Sequence, residues 1–395
     1  MGVLDGIKVL DLSRILAGPY GTQILADHGA DVWKIEIPKK GDDTRHFGPP
    51  FLNGESAYFL SVNRNKRSIT VNLKTERGVE IVRRLAAKAD VVIENFRPGA
   101  LVKYGLDGPT LLRDHPRLIY CSISGFGQTG PWAERPGYDL AIQGMGGLMS
   151  LTGEPDGPPM KVGTSIADIL SGIYAAQGIL LALYHRERTG RGQLVDVSML
   201  DGQVSLLTYQ AGIYFAEGVS PTRKGNQHPT ICPYETFRAA DGYFNLAVGN
   251  DKLWSIFCGV IHRRDLEEDE RFRTNPDRVR NRDLLFPILQ EIFSREPVAF
   301  WLEELEKVGI PAGPIFSVGE VLELEQTRAR EMVVEAEHPR AGRIRMTGIP
   351  IKLSEEPGEV KSAPPLLGEH TEEILREVLE MDDDTIRRLK NDGVI

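Results

Sequence analysis

One carboxylate stands out by its setting. Asp168 lies in a stretch, Lys161 to Arg188, where Ile166, Ile169, Leu170, Ile173, Gln177, Leu180, Leu181 and Tyr184 recur at intervals of three and four. That spacing predicts a long buried helix with Asp168 in its first turn. Thr164 and Ser165 are natural N-caps, so the carboxylate is expected among unpaired backbone amides, ionised near neutral pH. An ionised carboxylate there is a candidate nucleophile. Ser165-x-x-Asp168 equally reads as a capping box with Asp in place of Glu or Gln, which would make the residue structural. On another side of the helix Asp168, Ser171, Gly172 and Ala175 form a small-residue strip where a ligand or another backbone could come close.

The second group with chemical potential is cationic. From Leu60 to Asp90 there are eight Lys or Arg against three acids, a local field that attracts phosphorylated ligands. Lys66, Arg67, Lys74, Arg97 and Lys103 fall in or near strand–helix connections, where doubly wound sheets bind ligands. Each alone reads as a surface cation; together they suit a polyanionic nucleotide such as coenzyme A. Asn95-Phe96 adds an amide and a flat face for an adenine or pantetheine arm.

Several other chemistries lose their support on inspection. Gly125-Phe-Gly-Gln-Thr-Gly130 matches G-x-G-x-x-G, but Pro131-Trp132 follows where a helix should open, and position 150 is Ser rather than an acid. It reads as a Gly-rich turn, not a nicotinamide site. There is no G-x-x-x-x-G-K-[ST] for ATP, no Gly-x-Ser-x-Gly elbow, and no metal-ligand spacing among the eight histidines.

The elements that must position these groups alternate. Strands are predicted at Ile7–Leu12, Asp31–Glu36, Ser68–Leu73, Asp90–Asn95, Leu118–Ser124 and Gln193–Ser198. Helices are predicted at Pro19–His28, Glu76–Ala89, Tyr138–Met149, the Asp168 stretch and Met199–Phe215. Strand–helix alternation implies an α/β fold with a doubly wound, Rossmann-like, mostly parallel sheet. The pattern changes after Gly218–Pro233: a hairpin around Asp241-Gly242, then helices, imply a smaller α+β domain. The expected organisation is a large domain over 1–220, a small one over 221–334, and a segment over 335–395 returning to the large domain.

Composition agrees with a globular enzyme. The 395 residues are 41% hydrophobic and 26% charged, with a net charge of −9 that argues against a general nucleic-acid binder. The longest uninterrupted apolar run is about six residues, so no membrane span is expected. Cys121, Cys232 and Cys258 are widely spaced, which fits reduced thiols and a cytoplasmic location.

Seven phrases, in order along the chain, carry a resemblance. They are VLDLSRILAGP (Val9–Pro19), GADVWKIE (Gly29–Glu36), NRNKRSI (Asn63–Ile69), VVIENFRPGAL (Val91–Leu101), GTSIADILSG (Gly163–Gly172), TGRGQLVDVSMLD (Thr189–Asp201) and PPLLGEHT (Pro364–Thr371). Together they resemble the class III CoA-transferase family. The resemblance implies an interlocked homodimer and an acyl-CoA substrate, with no cofactor bound permanently and no metal. It places the catalytic aspartate on Asp168, acting through acyl-aspartyl anhydride and aspartyl-CoA thioester intermediates, with a dicarboxylate ester such as succinyl-CoA as donor. It places coenzyme A contacts on Leu16, Ala17, Val71, Asn72, Leu73, Lys74, Asn95, Phe96, Arg97, Lys103 and Tyr138.

The chain departs from the formyl-CoA transferase pattern at Leu16, Ile37 and Lys103, where Lys39, Lys40 or Arg64 would have to compensate. The lid loop of that enzyme is also missing, which argues against oxalate as acceptor; Lys224–Pro229 is the candidate replacement. Gly146-Gly147 is a candidate for oxyanion contacts, and Arg45, His46 or His228 for the far carboxylate of the substrate. The alternative on the same fold is an α-methylacyl-CoA racemase. That activity uses a His/Asp pair, whereas this chain has Gly137-Tyr138-Asp139.

Overall fold

The computed structural model describes residues 2–395, which form two compact units. The first takes residues up to Met149, then Lys161–Phe215 and Glu325–Ile395; the second takes Ser150–Met160 and Ala216–Leu324. Relative to the three segments read from the sequence, 150–160 belongs with the second unit, and the chain from Glu325 onward belongs with the first.

Six strands make the sheet of the first unit: β1 (Lys8–Asp11), β2 (Asp31–Glu36), β3 (Lys66–Thr70), β4 (Val91–Glu94), β5 (Ile119–Ser124) and β6 (Leu194–Ser198). Their spatial order is 3-2-1-4-5-6 and every pairing is parallel. Side-chain alternation divides the core between the two faces. Val9, Val32, Val91, Ile93, Ile119 and Cys121 pack against α1 (Ala17–Asp27) and the Asp168 helix, whereas Leu10, Trp33, Ile35, Val92 and Tyr120 pack against α2 (Glu76–Lys88). The C-terminal helices Thr371–Glu377 and Asp383–Asn391 cover that second face with Ile374, Leu375, Ile386 and Leu389. The sheet is therefore buried on both sides, as an all-parallel sheet requires.

Two helices matter for the site: α3 (Asp139–Met145) and α4 (Ile166–Thr189), which carries Asp168. The buried side of α4 is not the large apolar face expected from its periodicity. Ala167, Ser171, Gly172, Ala175, Ala176 and Ile179 are buried, while Leu181 and Tyr184 are 63% and 66% exposed. The small-residue strip receives another backbone: a Cβ on Gly172 would stand 2.5 Å from the Ala17 carbonyl oxygen, and one on Gly21 2.8 Å from the Gly172 carbonyl oxygen. Only glycines permit α1 and α4 to cross this closely. By length and hydropathy α4 resembles a membrane span, yet 44% of its most apolar window is packed inside the protein. The single helix expected over Met199–Phe215 is two, Met199–Leu206 and Thr208–Glu217, because Thr208 adopts φ +36°.

The second unit contains a three-stranded antiparallel sheet, Tyr234–Arg238, Tyr243–Ala247 and Ala312–Pro314, with the first two forming the predicted hairpin. Helices such as Asp251–Val260 and Arg282–Phe293 enclose an aromatic core of Phe237, Phe244, Phe257, Phe293 and Trp301.

Candidate active site

The strand order reverses at β1, so the chain leaves β1 and β4 toward opposite sides of the sheet. Such a switch point opens a crevice beyond the carboxyl ends of the strands. In this protein the crevice is a cleft of about 230 Å³. Arg14–Ala17, following β1, form one wall; Asn95–Pro98, following β4, form the other; Asp168 and Tyr138 close it.

The walls are held by buried polar groups. The Asn95 side chain accepts the Arg14 N–H and donates to the Arg14 carbonyl, both at 2.8 Å. Asp42 accepts the Ile15 N–H at 3.2 Å and binds the Lys34 ammonium at 2.9 Å, and Lys34 also reaches the Ser13 carbonyl. These bonds fix Ile15 at φ +69°, an uncommon conformation for a β-branched residue. Opposite, Gly125 and Gly137 approach so closely that a Cβ on Gly125 would lie 2.7 Å from the Gly137 Cα. The Gly-rich turn after β5 thus shapes the cleft with its first glycine; it opens no helix.

A second, more open cavity of about 820 Å³ lies on the other side of Asp168. Lys40, His46, Tyr58, Asp139, Leu140 and Lys161 are among its lining residues. Ile15, Tyr138 and Asp168 line both cavities. The carboxylate therefore stands at the passage between them.

Its electrostatic setting overturns the expectation of an ordinary ionised group. Burial, reinforced by the negative charge of Asp139, pushes the Asp168 pKa up to about 7. The amides that were to stabilise the anion are committed elsewhere. The Ala167 N–H donates to Asp139 Oδ1 at 2.9 Å, the Ile166 N–H to the Thr164 carbonyl, and the Ile169 N–H to the Ser165 carbonyl. Ser165 is the N-cap by position but its side chain makes no capping bond, so the capping-box reading does not hold. Beside Asp168, burial and the charge of Asp168 itself raise the Tyr58 phenol to about 12, leaving it a donor at neutral pH.

The coenzyme A contacts implied by the resemblance fall into three groups. Leu16, Ala17, Asn95, Phe96, Arg97 and Tyr138 line the cleft with Asp168. Leu73, Lys74 and Lys103 line a separate surface groove at the start of α2. Val71 is buried in the core, and Asn72 ties the chain to the C-terminus through the Val394 carbonyl.

Of the expected cluster of five cations, two are spent inside the fold. Lys66 is fully buried, bonded to the Pro19 carbonyl at 2.8 Å and Asn63 at 3.0 Å, and burial lowers its pKa against the pull of Asp11. Arg67 pairs with Asp31, Glu373 and Glu377. Arg64 cannot compensate for missing phosphate contacts, because it is buried in a two-pronged pair with Asp27. Arg45 is likewise unavailable to a substrate: it grips Glu36 with two bonds of 2.7 Å and lies over the Phe59 ring. The Gly146 N–H is taken by the Ile142 carbonyl, which removes it as an oxyanion donor. His46 lines the open cavity, and His228 lies in the second unit.

Sequence reasoning passed over Arg14, Ile15, Arg135, Tyr58 and Lys161, which line one or both cavities. No spacing rule marks them: four sit in loops and turns between the regular elements, and Tyr58 in the short helix Ala57–Ser61. Asp139 was in view as part of Gly137-Tyr138-Asp139, but its tie to the Asp168 helix was not.

Comparison with known proteins gives the family. Residues 4–371 match the model of CoA-transferase family III. The chain is 44% identical over 395 residues to succinyl-CoA:glutarate CoA-transferase of Mus musculus, covering all of this chain and 91% of that one. It is 45% identical over 368 residues to acetyl-CoA:oxalate CoA-transferase of Acetobacter aceti, covering 92% and 93%. A crystal structure of a CAIB/BAIF family protein from Brucella suis superposes with a TM-score of 0.85 at 48% identity, covering 95% and 99%. Matched over nearly its whole length, with these relatives alongside, the protein is a CoA-transferase of family III.

Proposed function

We propose that this enzyme moves CoA from a dicarboxyl-CoA ester such as succinyl-CoA to a free carboxylic acid by covalent catalysis on Asp168. The observation that carries the proposal is the placement of that one carboxylate at the junction of two cavities. A group that must be attacked from the thiol side and from the acid side needs both approaches open.

In the first step an Asp168 oxygen attacks the donor thioester carbonyl, and the C–S bond breaks to give an acyl-aspartyl anhydride and CoA thiolate. The thiolate then attacks the aspartyl carbonyl, releasing the donor acid and leaving an aspartyl-CoA thioester. The acceptor carboxylate attacks this thioester, and the thiolate returns to the acceptor's carbonyl, freeing Asp168. Each thioester replaces another, so the cycle needs no ATP. Positioning supplies much of the rate, for which well-oriented groups contribute about 7–11 kcal/mol.

In this scheme the pantetheine arm occupies the cleft between Leu16-Ala17 and Asn95–Arg97, and Lys74 and Lys103 in the neighbouring groove take the phosphates. The acyl group occupies the open cavity. Glutarate leads the acceptor panel because of the Mus musculus relative. Oxalate also belongs in it, despite the missing lid loop, because of the Acetobacter aceti relative.

The interlocked homodimer is part of the same proposal. Ile173, Leu180, Leu181 and Tyr184 on the outer side of α4, with Tyr209 and Phe215, are exposed apolar residues of the kind an interface covers. Three buried free cysteines suit a reducing, cytoplasmic setting.

Incubation with succinyl-CoA, trapping with hydroxylamine or borohydride, and peptide mapping test the chemistry. The expected result is modification confined to Asp168. An active preparation that never carries the tag there, or one that exchanges α-protons without moving CoA, would overturn it.

A further inference from the structure

The open cavity already holds acidic groups, namely Asp43, Asp139 and Asp168. A substrate bringing a second carboxylate into it meets repulsion unless a cation with no other partner receives that charge. Three basic side chains line the cavity, and two are engaged. Lys40 pairs with Asp43 at 2.8 Å, and His46 Nε2 lies 2.9 Å from the Lys40 carbonyl oxygen. Lys161 differs: its ammonium meets only the carbonyl of its neighbour Val162, at 3.1 Å, and makes no ion pair among the described residues.

Lys161 is also held in a fixed relation to the nucleophile. The Val162 N–H donates to Gln143 Oε1 at 2.9 Å, and Gln143 Nε2 donates to Asp139 Oδ2 at 2.7 Å. Asp139 Oδ1 then accepts the Ala167 N–H, one residue before Asp168. Gln143 is buried, and its Nε2 also reaches the Thr164 carbonyl at 3.5 Å. One short chain of bonds thus ties the backbone beside Lys161 to the first turn of α4. A cation on a flexible stem, carried by backbone at a fixed spacing from the nucleophile, limits how far apart the two ends of a substrate spanning the cavity can lie.

We infer that Lys161 is the specificity-determining residue that receives the far carboxylate of a dicarboxyl-CoA ester while Asp168 attacks its thioester end. The assignment rests on the dicarboxylate donor proposed above. It excludes Arg45, which is locked to Glu36, from that role.

The test compares succinyl-CoA with butyryl-CoA, which has the same carbon count but no far carboxylate, on the wild-type enzyme, Lys161→Gln and Lys161→Arg. In a ping-pong cycle the donor's kcat/KM does not depend on the acceptor, so the ratio of the two values reports donor recognition alone. Lys161→Gln is expected to lower the succinyl-to-butyryl ratio roughly 10- to 100-fold, the worth of a hydrogen bond to a charged group. Lys161→Arg, which keeps the charge, restores most of it. Glutarate against valerate as acceptors should show the same split. A ratio unchanged in Lys161→Gln, whether both values fall together or neither falls, overturns the role of Lys161 and leaves the transferase chemistry standing. A wild-type enzyme that takes no CoA from succinyl-CoA overturns the donor reading and this assignment with it.

Discussion

The two cavities that meet at Asp168 are made of different material. The cleft is walled by turns that follow β1, β4 and β5, and the path of that backbone is held by side-chain bonds to it, Asn95 to Arg14 on both sides and Asp42 to Ile15, and by two glycines in contact. The open cavity is walled by side chains, among them Lys40, His46, Tyr58 and Lys161. Backbone walls come with the sheet topology, and under the proposed function they recognise what every substrate shares. Side-chain walls can be exchanged without disturbing the fold, and under the same proposal they are where one acid is told from another.

The largest effect should come from the residue common to both sides. Asp168→Asn is expected to abolish steady-state transfer by at least about three orders of magnitude, since it removes the nucleophile rather than a binding contact. CoA binding, measured by calorimetry, should survive, because the cleft walls remain. Loss of binding together with activity would mean that Asp168 holds the cleft together instead of reacting in it.

A cleft variant sharpens the contrast. Asn95→Ala deletes both bonds to Arg14 and is expected to lower kcat/KM about 10-fold for every acyl-CoA alike, the worth of one to two part-buried hydrogen bonds. A selective loss, affecting succinyl-CoA and sparing butyryl-CoA, would break the distinction between a shared wall and a discriminating one.

The smallest effect concerns protonation. Attack requires the Asp168 anion, so kcat/KM should rise with pH through a midpoint near the raised value of about 7. Burial first, and the Asp139 charge second, hold the proton on Asp168, so Asp139→Asn should move that midpoint part of the way to lower pH, while its amide oxygen can still accept the Ala167 N–H. A midpoint that stays in place would assign the raised pKa to burial alone.

The order of elements and the family were legible in the sequence. Apolar periodicity locates α1, α2, α4 and the strands, because secondary structure must present one face to a core. The seven phrases along the chain single out Asp168. Local pattern, however, records which residues are apolar and not what covers them. It therefore assigned the large side chains of α4 to the interior, where the close crossing with α1 admits only small ones. Charge clustering failed for the same reason: a lysine's sequence position does not reveal that Asp11 waits behind it in the core.

What the sequence determined by itself is the α/β alternation and the one carboxylate proposed to react. Only the tertiary structure decided which cations remain free, which amides are already bonded, and how strongly Asp168 holds its proton. Those properties depend on burial and on partners distant along the chain. Asp139 lies 28 residues before Ala167, whose N–H it binds, and no local rule joins them.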